Sequence, residues 1–222
     1  MPVDPTAAAA DVRWGVVVPV KRLELAKSRL AAYGQEARRQ LALAFAADVV
    51  VAASRCPGVE RLLVVTDDPT ARGLLARLGA QVVPDLPDAG LNAALAHGAA
   101  CLRDADASLS LVALSADLPA LRPEDLQAVL EQVPSRGRAF VPDAVGTGTT
   151  LLAARAPAQL RPAYGGDSRA RHRESGALEL VGSPALRRDV DTPSDLRDAV
   201  ALGVGPRTAE VVLRLPARPF TS

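Results

Sequence analysis

A chain of 222 residues that is 49% apolar is long enough to bury one full hydrophobic core, and nothing in its composition calls for a second domain. A formal charge of +1 excludes a broad electrostatic drive toward nucleic acid or an acidic membrane surface, and no apolar run approaches the roughly 20 residues of a membrane span. Cys56 and Cys101 stand in neither a metal-like nor a redox-like spacing, so two reduced, buried thiols and a cytoplasmic location are expected.

Residues 1–13 have no apolar core flanked by positive charge and read as a disordered start rather than a signal peptide. The first strand is predicted over Trp14–Pro19, WGVVVP, and runs directly into Lys21, Arg22, Lys27 and Arg29. Cations immediately after the first strand of an α/β fold can wall a polyphosphate, though an ordinary solvated loop would read the same way. Gln35–Ser54 carries Leu41, Phe45 and Val49 at helical spacing and is expected to be a packing helix.

A second strand over 61–65 ends in Thr66-Asp67-Asp68-Pro69, where capping of the following helix, running to Leu78, competes with any ligand role. A short third strand over 81–84 precedes a polar loop and Gly90-Leu91-Asn92, which opens a helix over 93–103. Asn92 could present its amide to a purine or simply cap that helix.

The central feature is SLVALSADLPAL, residues 110–121. The apolar run Leu111 to Leu114 reads as a central strand of a parallel sheet, covered by helices on both faces, and it stops abruptly before Asp117. Ligands of open α/β sheets bind beyond the carboxyl ends of the strands, which is where Asp117 falls. Far along the chain, Asp189 and Asp191 would share one face of an extended segment, with Cα atoms about 6.5 Å apart. Three such carboxylates suit a hard divalent cation, although Asp after a strand is also a common cap and Asp191-Thr192-Pro193 could merely start a helix.

Between these carboxylates lie a helix over 123–132 with Pro123 in its first turn, strands over Arg138–Pro142 and 150–154, and a Gly/Thr loop joining the two strands. Then comes Tyr164-Gly165-Gly166-Asp167-Ser168 at a helix start, a pattern that exposes bare N–H groups to an anion. Strands are predicted over 177–181 and 186–190, closing helices over Pro193–Leu202 and Pro206–Leu213, and a disordered tail over 214–222. No G-x-S-x-G nucleophile elbow accompanies His97 or His172, so a Ser/His/Asp hydrolase is not expected.

Taken in order, PVKRLELAKSRL, VVTDDP, GLNAAL, SADLPAL, GTGTTLL, YGGDSRARHRESGA and DVDTPSDL resemble the guanylyltransferases of coenzyme F420 biosynthesis, from Val16 to about residue 209. The resemblance implies an α/β, single-domain nucleotidyltransferase-type (Rossmann-like) fold over residues 14–213, with a mostly parallel sheet flanked by helices. It implies GTP and a phosphorylated three-carbon acid as substrates, with Mg2+ held by Asp117, Asp189 and Asp191. Pro19, Lys21, Arg22 and Lys27 would meet the nucleotide phosphates, Thr66 and Asn92 the nucleoside side, and Thr150, Gly165 and Ser168 the acid. Asp117, Lys21 and Lys27 would carry catalysis. The Ala/Arg-rich composition, the GTGT loop and the DSRARHR-SGA stretch look closer to the actinobacterial type of the family, which implies phosphoenolpyruvate over 2-phospho-L-lactate or 3-phosphoglycerate. Gly166 stands where close relatives often have Pro, which loosens the loop without removing Gly165 or Ser168. Hand-off of the product to a downstream transferase, and a homodimer, are both compatible with the family. A sugar-phosphate or molybdopterin nucleotidyltransferase would carry a Gly-rich loop after the first strand, which is missing here. A non-catalytic GTP sensor would be stabilised by GTP without releasing pyrophosphate and would have less need of all three carboxylates, and a plain interaction module would leave so many polar strand ends without purpose.

Overall fold

A computed structural model describes residues 12–86 and 88–215. Expectations for residues 1–11 and 216–222 lie outside the described residues. Of the flanking positions read as disordered, Val12 and Leu215 pack against the core, and Arg13 pairs with Glu60 and Asp106.

Seven strands form one sheet in the order β3-β2-β1-β4-β6-β5-β7. They are β1 (Trp14–Pro19), β2 (Val59–Val65), β3 (Gln81–Val83), β4 (Ser110–Leu114), β5 (Arg138–Pro142), β6 (Thr149–Ala154) and β7 (Leu178–Glu179). β1 pairs in parallel with β2 and β4, whereas β6 runs antiparallel to both β4 and β5. The sheet is thus mixed, parallel in its first half as the sequence implied.

β1 shows why these residues make a central strand. Val16 and Val18 point into the core on one face and Val17 into the core on the other, the period-2 alternation of a strand covered on both sides. The first face is covered by α1 (Gln35–Ser54), α2 (Pro69–Arg77) and α4 (Pro123–Leu130), and the second by α3 (Leu91–Ala105). α3 sits so close that a Cβ on Gly98 would lie 2.6 Å from Val17 and 2.9 Å from Val65, so glycine alone fits that crossing.

A third cluster joins Leu30 of a short 3-10 helix (Ser28–Tyr33), Leu41 and Phe45 of α1, Val190, and Leu196 and Ala199 of α7 (Pro193–Leu202). Burying Phe45 and Leu41 there contributes on the order of 2 kcal/mol each. α8 (Pro206–Leu213) closes over α1, held by buried Asp48, which accepts the N–H groups of Arg207 at 3.2 Å and Thr208 at 2.8 Å.

Two expected strands are corrected. Residues 186–190 are not a strand: Ser183 caps a short helix, α6 (Pro184–Arg187), by accepting the N–H of Leu186, with Pro184 in its first turn. The strand expected over 177–181 shrinks to Leu178–Glu179, because only Ala139 and Phe140 of β5 pair with it. α5 (Ser168–Glu174) forms where expected, one short helix of seven residues.

Candidate active site

The carboxyl ends of β1 and β4 open into a cavity of about 470 Å3, within the size of a small-molecule site. Pro19, Lys21, Lys27, Arg29, Asp117 and Asp191 are among its lining. Arg22 is exposed outside that lining, and Thr150, Gly165 and Ser168 lie off it on the neighbouring β6 and α5 segments.

Asp117 and the 189–191 segment meet although no strand carries the latter. Val190 donates its N–H to the Asp117 carbonyl at 3.0 Å and buries its side chain in the third cluster. Thr192, and not Asp191, caps α7, which leaves the Asp191 carboxylate to pair with Lys27.

Lys27 stands among the carboxylates. Its ammonium donates to Asp117 in a very short contact and to Asp191 at 2.8 Å, with only 11% of its side chain exposed. Burial works against its charge, but the two carboxylates outweigh that and raise its pKa. Lys27 reaches this place from a left-handed backbone, φ 55°, uncommon outside glycine and a mark of strain held by its surroundings. Asp189 is left with an excess of negative charge around it. Burial first, then Asp117, Asp143 and Asp191, push its carboxyl up to about 7, more than Lys27 offsets.

Asp143, at the end of β5, was not singled out in the sequence. Its carboxylate accepts the N–H groups of Gly146 at 2.6 Å and Thr147 at 2.9 Å and so folds the Gly/Thr loop over itself. Gly148 abuts this carboxylate so closely that no Cβ fits there. Next in the chain, Thr150 accepts the N–H of Ser115 through its carbonyl at 2.9 Å, two residues before Asp117. Its hydroxyl is buried without a partner, an orphan that a ligand can satisfy.

Other predicted residues are engaged elsewhere. The hydroxyl of buried Thr66 accepts the N–H of Asp68, and Asp68 caps α2. Asn92 does not cap α3. It grips the backbone of Tyr164 from both ends, accepting its N–H at 2.8 Å and donating to its carbonyl at 3.0 Å. Arg169 and Arg173 both pair with Glu179, and Arg171 donates to the Ala163 carbonyl at 3.1 Å. Cys56 is buried and Cys101 partly exposed, and both are free thiols.

Ser168 is buried, with its hydroxyl 3.2 Å from that of Thr149, and Thr149 lies 2.9 Å from Nδ1 of buried His172. His172 was set aside in the sequence for want of a nucleophile. Its spacing of four from Ser168, one helical turn on the same face, was the signal for it.

Comparison with known proteins adds three findings. A family model described as "Guanylyl transferase CofC like" matches residues 14–217. A protein of Thermomonospora curvata named phosphoenolpyruvate guanylyltransferase is 53% identical over 214 residues, 96% of this chain and 94% of that protein, and one of Streptomyces coelicolor with the same name is 56% identical over 207 residues, 92% and 98% respectively. Among solved structures, a nucleotidyl transferase from Methanothermobacter thermautotroptrophicus superposes with a TM-score of 0.56 at 21% identity, over 86% of this chain and 97% of the other, so the fold is of the nucleotidyltransferase type.

Proposed function

The chain belongs to the CofC-like guanylyl transferase family, and from that membership we propose that it moves GMP from GTP to the phosphate of phosphoenolpyruvate, giving enolpyruvyl-diphospho-5'-guanosine and pyrophosphate. The product belongs to coenzyme F420 biosynthesis and passes to a downstream transferase in the cytoplasm. The observation that carries this reading is the meeting of Asp117 and Asp191, from distant parts of the chain, on the wall of one cationic cavity, with Asp189 outside that lining but close enough to feel both of their charges.

The residues fit a divalent cation. All donors are carboxylate oxygens, the hard ligands that magnesium takes, and one ammonium cannot neutralise three carboxylates with Asp143 beside them. As they stand, no three His, Cys, Asp or Glu side chains among the described residues are grouped to hold an ion, so uptake of one would have to draw these carboxylates together as well as displace the Lys27 ammonium from between Asp117 and Asp191. Bound there, Mg2+ supplies charge neutralisation on the transferring phosphate.

The chain's own residues do the rest. An oxygen of the acceptor's phosphate forms a bond to the α-phosphorus of GTP, and the bond from that phosphorus to the bridging oxygen breaks, releasing pyrophosphate. The attacking oxygen is already ionised at neutral pH, so no general base is needed. Alignment and charge compensation dominate such transfers. Lys21 and Lys27 on the cavity wall offset the charge that gathers on the departing pyrophosphate. Thr150, Gly165 and Ser168 receive the acid on the β6 and α5 side of the carboxylates.

The test is pyrophosphate release by purified protein from GTP and Mg2+, offered phosphoenolpyruvate, 2-phospho-L-lactate and 3-phosphoglycerate in parallel, with a downstream transferase present to draw off the product. Phosphoenolpyruvate is expected to give the fastest release. No release with any of the three acids, alongside GTP binding detected by thermal shift, would replace this reading with that of a GTP sensor.

A further inference from the structure

His172 is fully buried, yet both of its ring nitrogens are committed. Nε2 receives the backbone N–H of Ala163 at 3.0 Å, and Nδ1 lies 2.9 Å from the Thr149 hydroxyl. A backbone N–H can only donate, so Nε2 carries the lone pair and the single ring proton sits on Nδ1, donating to Thr149. The ring is fixed by Tyr164, edge-on at 5.2 Å, and Phe140 at 5.7 Å. Burial, then the positive charges of Arg138 and Arg171, hold its pKa down to about 4, so this neutral tautomer persists at working pH.

The consequence runs along the hydroxyls. The Ser168 and Thr149 hydroxyls lie 3.2 Å apart, and either can donate to the other. Because Thr149 already accepts from His172, its own proton is free to turn toward Ser168, which then points its proton outward. Ser168 also donates its backbone N–H to the Gly165 carbonyl at 3.1 Å, tying it to the exposed Gly165–Gly166 turn. The opposite side of that turn is anchored at Tyr164 by Asn92 and at Ala163 by His172 itself.

We infer that His172 is a positioning residue for the phosphorylated acid: its fixed tautomer gives one direction to the chain Ala163, His172, Thr149, Ser168, so that the last hydroxyl donates to an anionic oxygen of the acceptor. The inference rests on the reading of Thr150, Gly165 and Ser168 as the acceptor side. His172 touches no substrate. It acts through Thr149 and through the loop it holds.

The test compares wild type, His172→Gln, His172→Phe and Thr149→Val for pyrophosphate release, varying phosphoenolpyruvate and then GTP, with thermal unfolding alongside. His172→Phe keeps ring packing against Phe140 and Tyr164 but removes both nitrogens. It should raise KM for phosphoenolpyruvate about tenfold or more, the effect of misdirecting a hydrogen bond to a charged group, while KM for GTP stays within about twofold. His172→Gln offers an acceptor and a donor side by side and should restore most of the loss. Thr149→Val should match His172→Phe, and the double variant should be little worse than either, since both break one chain. Should His172→Phe fail to fold, Thr149→Val and His172→Gln carry the comparison. A fall in kcat with both KM values unchanged, a rise in both together, or an unaffected Thr149→Val overturns the inference. A wild type that turns over GTP with another acid but not phosphoenolpyruvate overturns the acceptor assignment alone, and the same series is then read with that acid. A wild type inactive with every acid overturns the function and this inference with it.

Discussion

Replacing Lys27 by Met tests whether this ammonium holds the place that a divalent cation takes. The substitution keeps most of the side chain's length and removes its charge. Lys27 is 11% exposed, Asp117 26% and Asp191 50%, so the pair with Asp117 is closer to buried and that with Asp191 closer to a surface pair. Breaking a fully buried pair costs about 3–5 kcal/mol and an exposed one at most about 1, and because Asp117 and Asp191 are both partly open to solvent the loss falls between these limits, at about 2 kcal/mol in metal-free buffer. For a domain of this size that lowers the unfolding temperature by about 4–8 °C. Adding Mn2+ or Mg2+ without nucleotide should then raise the unfolding temperature of Lys27→Met more than that of wild type, because the ion no longer displaces an ammonium. Turnover should nevertheless be lost, since nothing replaces the charge that Lys27 brings to the pyrophosphate. Equal stabilisation of the two proteins by the ion, measured by scanning calorimetry, would refute the shared place. So would a variant as stable as wild type without metal.

Asp189→Asn should abolish pyrophosphate release and leave the fold intact. A carboxyl raised to about 7 binds its proton more tightly folded than unfolded, so its contribution to stability falls as pH rises from about 4 through 7. The variant should therefore unfold at a higher temperature than wild type at pH 8 without metal, and full activity in it would refute the ligand role. His172 has the opposite sign. Its folded pKa is depressed to about 4, so its contribution is complete above about 6.5 and is lost as pH falls toward 4, by at most about 3 kcal/mol. Urea midpoints measured at pH 7 and pH 4.5 should fall less in His172→Gln than in wild type, and identical falls would contradict the buried neutral ring. Asp48→Ala removes the cap of α8 and should cost about 2 kcal/mol in urea unfolding while leaving turnover per folded molecule unchanged; loss of that turnover would mean α8 does more than brace α1.

Where sequence signals were local, they were readable. The spacing of Leu41, Phe45 and Val49 marked α1 to both of its ends, and the apolar run closing at Ser115 placed Asp117 beyond a central strand. The alternation in Leu186-Arg187-Arg188-Asp189-Val190 imitated a strand, but Ser183-Pro184 just before it is a helix start, and that local chemistry won. Val190 still buries its side chain in the third cluster while Asp191 turns to Lys27 and Asp189 feels the charge of Asp117, so the expected alternation survived without the expected strand. What could not be read was partnership at a distance. Nothing near Asn92 announces Tyr164, and nothing in a run of four cations selects Lys27 as the one that turns in among the carboxylates.

The antiparallel strand explains why one edge of the sheet gathers both halves of the site. In an all-parallel sheet, the carboxyl ends of the strands would face Asp117 with loops that leave the sheet, and the segments entering each strand would lie at the opposite edge. β6 reverses this: Leu151 pairs with Leu114, so the segment entering β6, with Gly148 and Thr150 along it, lies beside the segment leaving β4, where Asp143 arrives from the carboxyl end of β5. The Gly/Thr loop therefore lies at the same edge of the sheet as Asp117, beside the cavity lining, and not at the far edge. A single reversed strand is thus enough to set an orphan hydroxyl beside the Asp143 turn and the carboxylates drawn from residues 117 and 189–191, and shifting the register of β6 by one residue would turn the Thr150 hydroxyl to the other face of the sheet.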